Sequence, residues 1–296
     1  MLKMRNWRRG AAALAFFALL AAPVIAPGPG GMLRVPGPVG DELVPVAEAA
    51  DTQGPAISAD AGIVVDAKTG EVLFAKNADK REYPASMTKM MTCVLALEEA
   101  GADELVVASA NAADVECTRI HAGDTVRMSD LLRQMMTISD NGAATAVGEA
   151  VGGDIPHFAE KMNAKARELG CTGTHFVNAN GMPDSDHYST AHDMARIMSY
   201  ALGDTRFRAI IGIDAVRIYY VRPAGRVEFC ENTNELLTTY PGCIGGKTGW
   251  TNAARGCLAV AAKRNGRTLV AVVMHSQDDE SRFTEAARLL DYGFAQ

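Results

Sequence analysis

Apolar and polar positions repeat with two different periods along the chain, and the changes of period mark its elements. "AGIVVDAKTGEVLFAKN", residues 61–77, holds two β-rich runs joined at Asp66–Gly70, the pattern of a hairpin. "YPASMTKMMTCVLALEEAG", residues 83–101, is an apolar helix closed by glycine. From about 105 to 212 the helical period dominates. "MSDLLRQMMTI" offers Ser129 as an N-cap, and "GAATAVGEAVGG", "IPHFAEKMNAKARELG" and "TAHDMARIMSYALG" each end on glycine. After 213 the chain turns β-rich through "AVRIYYV", "RVEFC", "CIGGKTGW", "GCLAVAAKR" and "TLVAVVMHS", and it closes on the amphipathic "DESRFTEAARLLDYGF". A hairpin and first helix, a helical insertion, then consecutive strands and a last helix predict an α+β fold. In it a largely antiparallel sheet (residues 55–85 and 213–296) is covered by helices, and residues 105–212 form a helical lobe.

The start of the chain follows neither period. A basic cluster (Lys3, Arg5, Arg8, Arg9) precedes an apolar run from Ala11 to Ala26, with small residues near Val24-Ile25-Ala26. This is the three-part pattern of a secretory signal over residues 1–26, and the run falls short of the roughly 20 apolar residues of a membrane span. Residues 27–54, rich in proline, glycine and alanine, read as a linker. A second possible cut follows "AEAA" at 47–50, and residues 55–296 are left as one domain.

Composition narrows the partners. The 296 residues carry a formal charge of -6, and residues 51–296 hold 24 basic against 32 acidic side chains, which argues against a nucleic-acid partner. The six cysteines (93, 117, 171, 230, 243, 257) permit disulfides in an exported chain, and the spacing around "GGKTGWTNAARG" suggests Cys243–Cys257 across a hairpin. The histidines lack HExxH spacing: His187 and His192 in "HYSTAH" are five residues apart, so no metal is expected.

Three short patterns carry candidate chemistry. Ser86 precedes Lys89 by three residues at a helix start, so the two side chains can meet. Apolar neighbours would lower the lysine pKa and let its neutral amine take a serine proton, although a lysine there can also snorkel to water. Ser139-Asp140-Asn141 falls between two helical segments, where a loop can aim a hydroxyl and an amide into a cleft, or merely cap a helix. Lys247-Thr248-Gly249 ends a β-run, where lysine and threonine could hold a carboxylate and Gly249 could admit a substrate backbone. The second and third patterns each have a decoy. Ser109-Ala110-Asn111 reads as a helix cap, and Lys68-Thr69-Gly70 as turn chemistry in the first hairpin.

Taken together and in this order, the three motifs resemble those of penicillin-binding proteins and class A β-lactamases. From about Ala56 to Gln296 the chain resembles the D-alanyl-D-alanine carboxypeptidases, to which "DAKTGEVLFAKN", "ELGCTGTHFVNANGMPDSDHYSTAHDMARI" and "LLDYGF" are also similar. The resemblance implies the β-lactamase/penicillin-binding-protein fold and an exported enzyme that trims the terminal D-Ala from peptidoglycan stem peptides, with β-lactams as covalent inhibitors. It implies Ser86 as nucleophile, Lys89 as proton acceptor and Ser139 as proton shuttle together with Lys247. Asn141 would bind the substrate backbone, Lys247, Thr248 and Gly249 the substrate end, and the Ser86 and Trp250 N–H groups would form the oxyanion hole.

Two departures from that family stand out. Asp140, an aspartate as in class A β-lactamases, occupies a position where many members have glycine, and the sequence stops after its closing helix, so the β-rich domain and anchoring helix with which many members end are not expected. The second leaves membrane association open and favours a soluble or wall-associated enzyme. A class A-like β-lactamase and a non-catalytic penicillin-binding protein are the competing expectations. The first would need a deacylating glutamate, and Glu168 in "ARELGCTG" is a poor match for its setting.

Overall fold

The computed structural model describes residues 54–296 and, within the preceding segment, two short antiparallel strands, β1 (Met32–Arg34) and β2 (Leu43–Pro45). The expected signal at 1–26 and the rest of the linker lie outside the described residues. Gly54–Gln296 is one compact unit.

Chain order in that unit explains how the site is assembled. The hairpin β3 (Ala61–Asp66) and β4 (Val72–Lys76) turns where the Asp66 carboxylate accepts the N–H groups of Lys68 and Thr69, and Gly70 adopts φ 75°. The Lys68-Thr69-Gly70 decoy is thus a turn. A single 3₁₀ turn (Ala85–Thr88) leads into α1 (Lys89–Glu99). The helical lobe follows, with β5 (Leu105–Val107), α2 (Ala110–Ala113), β6 (Thr125–Arg127), α3 (Met128–Thr137), α4 (Asn141–Gly152), α5 (Ile155–Glu168), α6 (Ala191–Ala201) and α7 (Thr205–Ile211). Ser109 caps α2 by accepting the Ala112 N–H, so the second decoy is also structural. The chain then forms β7 (Ala215–Tyr219), β8 (Val227–Glu231), α8 (Leu236–Thr239), β9 (Cys243–Thr251), β10 (Arg255–Arg264), β11 (Arg267–Ser276) and α9 (Ser281–Ala295).

The main sheet is antiparallel in the order β4-β3-β11-β10-β9. Its central strands read as unbroken apolar runs because both faces are covered. Ile63, Val65, Ala259, Ala261, Val270 and Val272 pack into one core, and Val64, Leu258, Val260, Leu269, Ala271 and Val273 into a second, with Phe283, Ala286, Leu289 and Leu290 of α9. The larger core takes in Met90, Val94, Leu131, Met135, Val147 and Met198 from α1, α3, α4 and α6. One sheet therefore serves as a wall between two helical layers, and β9 forms its edge facing the lobe.

Three expectations need correction. Strands β7 and β8, assigned to the sheet region, pair only with each other and form a separate hairpin against α3. Ser129 does not cap α3. That helix begins at Met128, and its first free N–H groups are taken by backbone, Met128 N–H by Glu104 O and Ser129 N–H by Ala102 O. Cys243 and Cys257 are both free thiols. Register puts Cys243 across from Ala262 and Cys257 across from Gly249, and the two side chains belong to different cores on opposite faces of the sheet.

Candidate active site

Ser86 sits in the 3₁₀ turn at the head of α1, and the preceding Ala85 is held at φ 46°, a left-handed conformation that alanine seldom adopts. Lys89, the first residue of α1, points back along the turn, and its Nζ lies 2.8 Å from Ser86 Oγ. The same amine donates to Asn141 Oδ1 at 2.7 Å and to the Asn180 carbonyl at 2.6 Å. Three contacts saturate an ammonium. A neutral amine donates only two hydrogens, so with the lysine deprotonated the third contact reverses and the serine hydroxyl donates to Nζ. Lys89 is 0% exposed, and its burial lowers the pKa to about 7, against a smaller opposing pull from Asp140. The sequence-level alternative of snorkelling to solvent is therefore not realised.

Ser139 and Asn141 bracket the start of α4, with Ser139 at φ 62°. The Asn141 amide is already committed within the protein. Its oxygen receives Lys89, and its nitrogen donates to Glu116 O at 2.8 Å. Asp140 faces inward. It is 1% exposed, caps α4 through the Ala143 N–H, and accepts from Thr118 Oγ1, the Arg119 N–H and Gln134 Nε2 at 2.8–2.9 Å. The acid shared with the lactamase pattern is thus a hub for the loop at 118–119, α3 and α4. Glu168 ends α5 and pairs with Lys165, with a side chain 61% exposed, and is not among the residues lining the cleft.

The third motif forms the opposite wall. Thr248 bonds to Thr233 through their hydroxyls, and Lys247 is 1% exposed, with Nζ 2.8 Å from Thr248 O. Burial, with the like charges of Lys89 and Arg282 beside it, drives the Lys247 pKa well below that of a free lysine. Gly249 packs against the Ser86 turn: a Cβ there would fall 3.0 Å from Ala85 Cβ and 3.1 Å from Ser86 N. Its glycine thus has a reason inside the protein, apart from any approach of substrate. Trp250, 41% exposed, forms part of the rim.

A cleft of about 650 Å³ lies between the walls and is lined by Ser86, Ser139, Asn141, Thr233, Thr248, Gly249, Trp250 and Arg282 among others. Of the residues proposed from sequence, only Lys89 and Lys247 lie behind its surface. Two contributors were missed. Asn180 acts through its backbone carbonyl, and the adjoining Gly181, at φ 89°, lies so close to the turn that a Cβ would fall 1.9 Å from Ala85 O. Arg282, in the first turn of α9, is 6% exposed, donates to Gly249 O at 3.0 Å and pairs with Asp279, and its Nε is buried without a partner. The sequence did carry a signal for it, since Arg282 keeps step with Ala286, Leu289 and Gly293 on the buried stripe of the helix. Among the described residues no cluster of His, Cys, Asp or Glu could hold a metal. His187 bonds to Thr88, whereas His192 pairs with Asp79.

The arrangement belongs to a known group of proteins. The sequence signature of the D-alanyl-D-alanine carboxypeptidase family (peptidase S11) matches residues 48–278. The chain is 34% identical over 246 residues to D-alanyl-D-alanine carboxypeptidase DacF of Bacillus subtilis, covering 80% of this chain and 62% of that one. It is 36% identical to D-alanyl-D-alanine carboxypeptidase DacB2 of Mycobacterium tuberculosis, covering 79% and 81%. The crystal structure of the Streptomyces K15 DD-transpeptidase superposes with a TM-score of 0.78 at 32% identity, over 82% of this chain and 99% of that one. The chain belongs to the D-alanyl-D-alanine carboxypeptidase family of serine peptidases.

Proposed function

We propose that the protein is an exported serine DD-carboxypeptidase that removes the terminal D-Ala from peptidoglycan stem peptides through an acyl-enzyme on Ser86, and that penicillins acylate the same hydroxyl. The observation that carries this reading is the fully buried Lys89 amine 2.8 Å from Ser86 Oγ, with a pKa of about 7. At neutral pH a large share of that amine is free, ready to accept the serine proton as Oγ attacks the penultimate D-Ala carbonyl. The Ser86 and Trp250 N–H groups would stabilise the oxyanion, one such donor typically contributing ~10²–10³ in rate. As the C–N bond breaks, the leaving D-Ala amine takes that proton, passed on from Lys89 through Ser139 and Lys247, and Lys89 returns to its free form. Water then attacks the ester, with Lys89 again the base, and frees Ser86.

Selection of a free C-terminus falls to the opposite wall. Thr248 offers a hydroxyl, and the Arg282 guanidinium, with its buried Nε, supplies fixed charge. Lys247 lies behind them, and an arriving carboxylate would favour its protonated form. Asn141 would meet the substrate backbone with the amide hydrogen that now makes only a long contact to Met182 Sδ at 3.5 Å, which an arriving carbonyl would replace. Export rests on the pattern of residues 1–26 and on the cell-wall substrate. Among the described residues no helix is long and apolar enough to cross a membrane. The test is intact mass after exposure to a penicillin, alongside D-Ala release from a stem pentapeptide. A single lasting adduct and peptide turnover, both lost in Ser86→Ala, are expected. Rapid drug hydrolysis without an adduct would mean a β-lactamase, and an adduct without peptide turnover a non-catalytic binding protein.

A further inference from the structure

The turn that carries Ser86 and the loop that receives Lys89 come from distant parts of the chain, and one buried side chain joins them. His187 is 1% exposed. Its Nε2 lies 2.8 Å from Thr88 Oγ1, and its Nδ1 lies 3.1 Å from the Val177 nitrogen. A backbone N–H can only donate, so Nδ1 must offer a lone pair, and the ring proton sits on Nε2 and is donated to Thr88. Thr88 closes the Ser86 turn and adjoins Lys89. Val177 leads into the segment whose Asn180 carbonyl accepts Lys89 Nζ at 2.6 Å and whose Gly181 packs against Ala85. Phe176 packs edge-on against the imidazole at 5.5 Å and holds the ring plane.

We propose that His187 is a positioning residue for the proton transfer between Ser86 and Lys89: its neutral imidazole fixes the turn bearing the serine relative to the loop that orients the amine. It touches neither reacting atom. A buried histidine that served only packing could be replaced by an apolar residue at a cost in stability alone. Here both ring nitrogens are spent on the two elements that define the Ser86–Lys89–Asn180 geometry, so the cost should fall on acylation. The inference rests on the reading of Ser86 and Lys89 as nucleophile and base.

Charge around the ring is consistent with a strut that stays neutral while the enzyme works. Burial pushes the His187 pKa down to about 4; Asp184 opposes this, while His175 and Lys89 add to it. Imidazolium would put a second N–H against the Val177 N–H and a like charge beside Lys89, so protonation breaks the link.

The experiment measures the second-order acylation constant with a fluorescent penicillin, and kcat and KM for D-Ala release, over pH 5–9. It uses the wild type, His187→Leu, His187→Gln, Thr88→Val and the Thr88→Val/His187→Leu pair, each below its melting temperature. His187→Leu should slow acylation and kcat by about 10–100-fold, as expected for sub-ångström misplacement of a reacting pair, and displace the pH limb set by Lys89. KM should stay within about threefold, because the carboxylate-binding wall belongs to β9 and α9. His187→Gln, which can still donate to Thr88, should recover most of the rate. Thr88→Val should reproduce the loss from the other end, and the double variant should be no worse than the single ones. If His187→Leu fails to fold, Thr88→Val and His187→Gln still decide the matter. Variants that melt earlier but keep the wild-type acylation constant and pH limb would overturn the proposal. Failure of the wild type to form any adduct would instead remove the serine reading beneath it.

Discussion

Gly249 lies against the backbone nitrogen of Ser86, so closely that a Cβ on the glycine would fall 3.1 Å from that nitrogen and 3.0 Å from Ala85 Cβ. The edge strand of the sheet therefore helps set where Ser86, the proposed nucleophile, stands. Gly249→Ala can be accommodated only if the turn shifts by a few tenths of an ångström, so it should fold while acylation by penicillin falls about tenfold. Gly181→Ala meets the same turn from the other side, at 1.9 Å from Ala85 O and at φ 89°, and should be far less tolerated. Expression yield, melting temperature and acylation rate of the two variants check the ranking.

The buried lysine predicts a pH profile. With Lys89 as the proposed base, acylation would need the free amine, and its rate should rise with pH through about 7. Asp140 is the main charge pulling that value upward, and Asp140→Asn should move the limb to lower pH. The same variant gives up the charge that serves four donors and should lose about 1–3 kcal/mol of stability. The depressed lysine has its own effect on folding. Between about 7 and 10.5 the unfolded chain holds a proton that the folded chain has released, so this group's contribution to stability rises with pH across that window. A limb that stays in place in Asp140→Asn would show that desolvation alone sets the lysine.

Thiol chemistry separates the cysteines. Cys117 is exposed at the mouth of the cleft, Cys243 is half-buried, and the other four are buried, with burial raising Cys257 to about 12. A bulky maleimide should label Cys117 first in the folded protein and reduce penicillin acylation by crowding Ser86. After denaturation without reductant, all six should label. Four labels would mean that a disulfide forms after all and that two thiols had been misplaced.

What the sequence could disclose follows from which forces act locally. The paired strands, the helices and both decoy motifs were legible because hydrophobic period, Asp66 in its turn and Ser109 at its cap act within a few residues. The Ser86–Lys89 contact was legible for the same reason, being one helical turn long. Ser129 was misjudged because the entry to α3 is satisfied by Ala102 and Glu104, which only the tertiary fold brings near. Cys243 and Cys257 flank a real hairpin, but pairing depends on register and face, and spacing fixes neither. Asn180 contributes a carbonyl that every residue possesses, so no side chain announced it. Arg282 was visible as an arginine in an apolar stripe, yet its purpose needed the cleft around it.

Arg282 gives the sharpest test of how the cleft reads a chain end. The residue lines the cleft and is 6% exposed, its guanidinium is held by Gly249 O and Asp279, and its Nε is buried without a partner. Burial lowers its pKa, but an arginine stays charged at any working pH, unlike the neighbouring Lys247. Fixed charge should therefore come from Arg282, and Arg282→Gln should weaken turnover of a peptide ending in a free carboxylate by about 10²-fold in kcat/KM. A C-terminally amidated peptide, lacking the charge, should be turned over poorly by the wild type and no worse by the variant. Equal losses on both peptides would assign Arg282 to holding β9 in place through Gly249, and the terminal carboxylate would then depend on Thr248 and a reprotonated Lys247.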